Sequence, residues 1–136
     1  MKPLFALPLA ALICTVMLFS CKKSKDAAPF NLANTQWQGE ATLEQIKYGV
    51  TIEFKEEKNE VELVFVKPGA PTPFTFTGKW AKDEASVEVS FDFMKGLEKM
   101  ACTATLTENN TKMANGVIKS TTQPSADPGS FSVTKK

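Results

Sequence analysis

From Thr35 onward, apolar and polar residues alternate with a period of two along most of the chain. That period marks strands with one buried and one solvated face. Trp37, Gly39, Ala41 and Leu43 alternate with Gln36, Gln38, Glu40 and Thr42, and Val50, Ile52 and Phe54 with Thr51, Glu53 and Lys55. Val61, Leu63 and Phe65 follow a polar turn at Glu56-Glu57-Lys58-Asn59. The segment 67–73 holds Pro68, Pro71 and Pro73 and reads as a loop, because proline cannot donate to a strand ladder. Phe74, Phe76, Gly78 and Trp80 form the next apolar face, then Val87, Val89, Phe91 and Phe93 after a turn over 81–84. The connection from Met94 to Glu98 contains Gly96 and suits a short helical turn. Met100, Cys102, Ala104 and Leu106 come next, followed by a turn at 108–110.

In the segment 111–119, Asn115-Gly116 predicts a bulge, since a hairpin turn there would leave two short stubs. A loop over 123–129 with Pro124 and Pro128 leads to a last strand carrying Phe131 and Val133 inward. These faces make eight strands joined in order by short connections, with no helical period between them. Eight antiparallel strands in meander order keep unpaired edges unless the sheet closes. The expectation is therefore an all-β, eight-stranded antiparallel up-and-down barrel. The competing architecture is an immunoglobulin-like sandwich. Against it, Trp37 falls on the first strand rather than the third, and no pair of cysteines staples two sheets.

The chain before this domain has a different character. One Lys is followed by an apolar run from Leu4 to Phe19 and then Ser20-Cys21, the layout of a secretory signal peptide. The run is interrupted by Pro8 and is shorter than the ~20 residues of a membrane-spanning helix. Leu18-Phe19-Ser20-Cys21 resembles the lipobox of bacterial lipoproteins, which are cut before a Cys that carries a diacylglyceryl thioether. The resemblance implies a signal peptide over 1–20, lipidation of Cys21 with palmitate-type acyl chains, and residence in the cell envelope of a Gram-negative bacterium. There the chain would be an outer membrane lipoprotein, with the periplasmic or surface face left open. Residues 21–34, rich in Lys and small residues, read as the lipidated Cys and a flexible tether, and 35–136 as the domain.

Composition narrows the chemistry. Removing residues 1–20 takes away Lys2 alone among the charged residues and leaves equal numbers of Lys and of Asp plus Glu. The chain has no Arg and no His. Missing Arg removes the bidentate clamp for phosphate, and with balanced charge this argues against nucleic acid as a partner. Missing His removes the commonest general base and metal ligand, so neither a metal nor a cofactor is expected. Cys102 stands alone on an apolar face and reads as a small buried hydrophobe with no base to activate it. Glu56-Glu57, Asp83-Glu84 and the Glu60/Glu62 pair fall in turns or on an outer face, where they serve solubility better than acid–base catalysis.

The domain also resembles the lipocalin-like, calycin-type domains of short bacterial lipoproteins, from Phe30 to Lys136. The likeness rests on Asn34-Thr35-Gln36-Trp37-Gln38-Gly39, on Gly78-Lys79-Trp80 and on the segment 129–135. It implies a barrel with Trp37 at the closed end and a cationic side chain across it, from Lys119 or Lys135. Thr35 stands where that family has Gly.

The inward residues carry much aromatic volume, which tends to fill a barrel of eight strands. Two functions follow. One is a non-enzymatic protein that binds a small apolar ligand, with Trp37, Phe76, Trp80, Phe91 and Phe93 as candidate lining. The other is a packed barrel serving as an interaction module for an envelope protein or glycan, through the loops 68–73 and 123–129. The sequence offers no triad, metal cluster or phosphate loop to support an enzyme.

Overall fold

The computed structural model describes residues 29–93, 98–124 and 126–136. The signal-peptide and lipidation expectations, including Cys21, lie outside these residues, as does the short helical turn expected after Met94.

Eight strands close into one antiparallel barrel in sequence order: β1 (Thr35–Leu43), β2 (Ile46–Phe54), β3 (Glu60–Val66), β4 (Phe74–Asp83), β5 (Ser86–Phe93), β6 (Glu98–Thr107), β7 (Lys112–Ser120) and β8 (Gly129–Lys135). Pairing of β1 with β8, Trp37 opposite Lys135 through Thr42 opposite Ser130, completes the ring and leaves no free sheet edge. The sandwich alternative is thereby excluded.

Burial follows the alternation that the sequence displays. Val61, Leu63 and Phe65 are buried on β3, as are Val87, Val89 and Phe91 on β5. Burying one face fixes register, because a slip of one residue would turn the whole apolar set to solvent.

Close approach of neighbouring strands requires glycine at several positions, Gly39 and Gly116 among them. A side chain on Gly39 would collide with the backbone carbonyl of Ser132 on β8, and one on Gly116 with Phe131. Gly116 also follows Asn115, which has φ +52°, and here the β7 register shifts against both β6 and β8. The Asn115-Gly116 dipeptide is thus a bulge inside β7, as its position predicts.

The sequence reading needs three revisions at element ends. Strand β2 begins at Ile46, so the β1–β2 connection is only Glu44-Gln45, both in the left-handed region with φ of +48° and +66°. Strand β4 runs on to Asp83, past the expected turn at 81–84. The folded unit begins before Thr35, because Leu32 has no exposed surface and Phe30 packs on the core. The tether assigned to 21–34 therefore ends short of Phe30.

Candidate functional site

The two ends of the barrel are built differently. The N-terminal segment and the β2–β3, β4–β5 and β6–β7 connections gather at one end, the floor. The β1–β2, β3–β4, β5–β6 and β7–β8 connections gather at the other, the mouth.

At the floor, Trp37, Phe54, Leu32, Val61, Met113 and Val133 are all essentially inaccessible to solvent. The Trp37 indole N–H donates to the Thr35 hydroxyl at 2.8 Å, and that hydroxyl donates to the Leu32 carbonyl. Thr35 thus satisfies the one polar atom of the buried indole. The Asn34 backbone N–H donates to the Phe54 carbonyl at 2.8 Å, which latches residues 30–34 across the barrel end. Lys135 places its Nζ 5.0 Å from the ring centroid of Phe30, so its cation–π partner is Phe30 and not the Trp37 that the resemblance implies. Trp80 also belongs to this half. Its N–H donates to the Lys55 carbonyl at 3.0 Å, and its ring meets Phe54 edge to face.

Toward the mouth the packing opens into a cavity of about 240 Å³. Its volume lies between the ~150 Å³ of an engineered cavity that takes up benzene and the ~300–1,000 Å³ of sites for drug-sized ligands. It has room for a molecule built around one ring. One wall is a chain of aromatic rings carried by β2, β3, β4 and β5. Tyr48 meets Phe65 edge to face at 6.2 Å, Phe65 meets Phe76 at 5.9 Å, and Phe76 lies 5.3 Å from both Phe91 and Phe93. Phe74, half-exposed, continues this wall to the rim.

The facing wall consists of smaller or aliphatic groups on β6, β7, β8 and β1: Met100, Ile118, Ser120, Gly129 and Leu43. Small residues at this height leave the space that the Phe side chains do not fill. Three carboxylates, Glu44, Glu98 and Asp127, border the cavity on this side, from the β1–β2 turn, the start of β6 and the β7–β8 loop. Ser120 is held from within the protein, its hydroxyl accepting the Gln123 amide at 2.9 Å.

Of the five candidate lining residues, Phe76, Phe91 and Phe93 line the cavity. Trp37 and Trp80 do not, since both are committed to the floor. Tyr48 and the three carboxylates were missed by the sequence reading, which expected a small apolar ligand on an aromatic lining. The carboxylate pairs considered for catalysis lie near the floor, and three of their members meet neighbouring side chains. Glu60 lies 3.3 Å from Lys79, Glu62 3.4 Å from Lys55, and Glu56 accepts from the Asn34 side chain at 3.0 Å.

Cys102 is buried on β6 near the middle of the barrel, beside a void of about 10 Å³ lined by Val50, Ile52 and Phe131 among others. That void is about the size of one water probe but is apolar. Burial away from water pushes the Cys102 thiol up to about 12, so it stays protonated at neutral pH and has little nucleophilic character.

Comparison of the chain with protein-family models, with curated proteins and with solved structures yields no match.

Proposed function

We propose that this protein is a non-enzymatic carrier or sensor that takes one small, ring-sized molecule into the mouth half of its barrel. The observation that carries the reading is the 240 Å³ cavity with a continuous aromatic wall, above a floor packed without such space. A protein that needed only a stable barrel would gain by filling that volume, because unfilled apolar space costs dispersion contacts. In this reading Cys21 carries the acyl chains and holds the domain in a bacterial envelope, as the lipobox-like Leu18–Cys21 suggests. Two or more acyl chains on one residue would make that anchoring stable.

Native mass spectrometry of residues 22–136, released from the envelope of its own host, tests the reading. A stoichiometric extra mass on the order of 100–200 Da is expected, scaled from the benzene-sized cavity. Loss of that mass in Phe76→Ala, with the fold intact, would tie it to the aromatic wall. A clean apo mass, together with no binding from an extract of the same envelope, would sink the proposal.

A second reading has one observation in its favour. Val66 and Phe74 are each 49% exposed and flank the proline-rich 67–73 loop at the rim. Exposed apolar groups beside a rigid loop suit a protein partner. If this reading holds, Val66→Ser, a change outside the cavity lining, weakens cross-linking to that partner while the cavity mass is unchanged.

A further inference from the structure

We propose that the cavity selects a small organic cation, an amine with an aromatic or compact apolar body. This rests on the binding role proposed above and names the class of ligand for the same site.

The first observation is the distribution of charge. Glu44, Glu98 and Asp127 border the cavity, and no lysine borders it among the described residues. Lys67, which follows β3 into the 67–73 loop, is exposed and does not line the cavity, and strand alternation places three further lysines of the strand ends elsewhere. Lys47 lies between the inward Ile46 and Tyr48, Lys99 between Glu98 and Met100, and Lys119 between Ile118 and Ser120, so all three project to the outer surface. Lys95 belongs to 94–97, outside the described residues. Residues 35–136 carry 14 Asp and Glu against 12 Lys, and three of the acidic ones border the cavity. None of the three carboxylates forms an ion pair among the described residues. Their combined field at the entrance attracts a cation and repels an anion.

The second observation is the opposite wall. Aromatic rings present their negative faces to a cation within about 6 Å and their apolar surface to a hydrocarbon body. Phe74, Phe76, Phe93 and Tyr48 offer both, facing the side from which the carboxylates approach. An amine with a ring or short chain satisfies the two walls together: the apolar body covers the Phe side chains, and the ammonium lies toward Glu44, Glu98 and Asp127. A neutral molecule of the same shape would use only one wall. A carboxylate would meet three like charges.

The test compares three probes of one shape, 2-phenylethylamine, 2-phenylethanol and 3-phenylpropionate, by titration calorimetry or ligand-observed NMR. It uses the chain from Lys22, delipidated, at low ionic strength. The amine is expected to bind on the order of tenfold more tightly than the alcohol, with the propionate weakest. Such a ratio is consistent with several partly exposed charge contacts acting together. Raising salt should shrink the amine's advantage and leave the alcohol alone.

The triple change Glu44→Gln, Glu98→Gln and Asp127→Asn should bring the amine down to the alcohol's affinity. It should leave the alcohol's binding and the thermal midpoint unchanged. Equal binding of amine and alcohol, or an amine preference that survives the triple change, overturns this inference while the binding function stands. Failure of all three probes overturns it as well, and if native mass spectrometry also finds no bound mass, the binding function falls with it.

Discussion

The floor and the mouth are made by the same eight strands, yet they use aromatic residues in opposite ways. At the floor, Trp37 and Trp80 each have a hydrogen-bond partner for the indole N–H, and Leu32 and Phe30 close over the end. At the mouth, Phe74, Phe76 and Phe93 stand against space, half-buried or exposed, facing Gly129 and Ser120. The difference lies in what each ring meets across the lumen. A large residue opposite a plugging segment gives a packed core. A large residue opposite glycine and serine gives a wall.

Substitutions should separate the two regions, beginning with the floor. Trp37→Ala removes the largest fully buried side chain among the described residues and leaves the Thr35 hydroxyl only its bond to the Leu32 carbonyl. It should cost about 3–5 kcal/mol, read as a lower denaturant midpoint, and it should abolish cooperative unfolding if the floor is the stability core. Leu32→Ala tests whether residues 30–34 are part of the fold. A loss of about 2–4 kcal/mol is expected, whereas a tether residue would give none.

Cys102 reports on the dry middle of the barrel through pH. In the unfolded chain the thiol ionises near its ordinary 9.0, and in the folded barrel only near 12. Between those values the unfolded state releases a proton that the native state keeps. The contribution of Cys102 to stability is therefore intact below pH 9 and is lost as pH rises through about 12. One unit above the lower value this amounts to roughly 1 kcal/mol. Chemical melts of wild type and Cys102→Ala across pH 8–10 should converge by that amount, and a constant difference would show that water reaches the thiol.

At the mouth the effects on stability shrink while those on binding grow. Phe76→Ala enlarges a cavity that is already open and should cost only about 1–2 kcal/mol, below the usual range for a packed Phe. In the same variant, uptake of the amine probe should fall at least tenfold. Gln45→Gly is expected to stabilise by about 1 kcal/mol, since Gln45 holds a left-handed φ of +66° that costs a side-chain-bearing residue about that much. An unchanged melt for Gln45→Gly would mean that the two-residue turn carries no strain.

The sequence made the barrel legible because burying one face forces a period of two, and strand after strand shows it. Asn115-Gly116 announced its bulge for a local reason: Asn adopts a left-handed φ readily, and Gly admits the Phe131 ring. Glu44-Gln45 gave no such signal. Neither residue favours a tight hairpin turn, so the start of β2 at Ile46 was hidden although Ile46, Tyr48 and Val50 keep the alternation. Leu32 was invisible because one leucine among polar neighbours has no period. The cavity was unreadable for a different reason. Summing inward aromatic volume says nothing about height along the barrel, and the space exists because Ser120 and Gly129 sit level with Phe76 and Phe93. The acidic border draws on a turn, a strand end and a loop that come together only when β1 meets β8.

That same β1–β8 closure determines how the molecule can be held. The Lys136 amide donates to the Gln36 carbonyl at 2.9 Å, so both chain ends leave from the floor. If Cys21 is the anchor, the stretch from Cys21 to Phe30 reaches at most roughly 30 Å, and the bilayer lies on the floor side. With an anchor there, the mouth would be the end opposite the point of attachment, an arrangement that suits a ligand arriving as a dissolved molecule. A chip or bead coupled through either terminus would reproduce that orientation, with every cavity facing the solution.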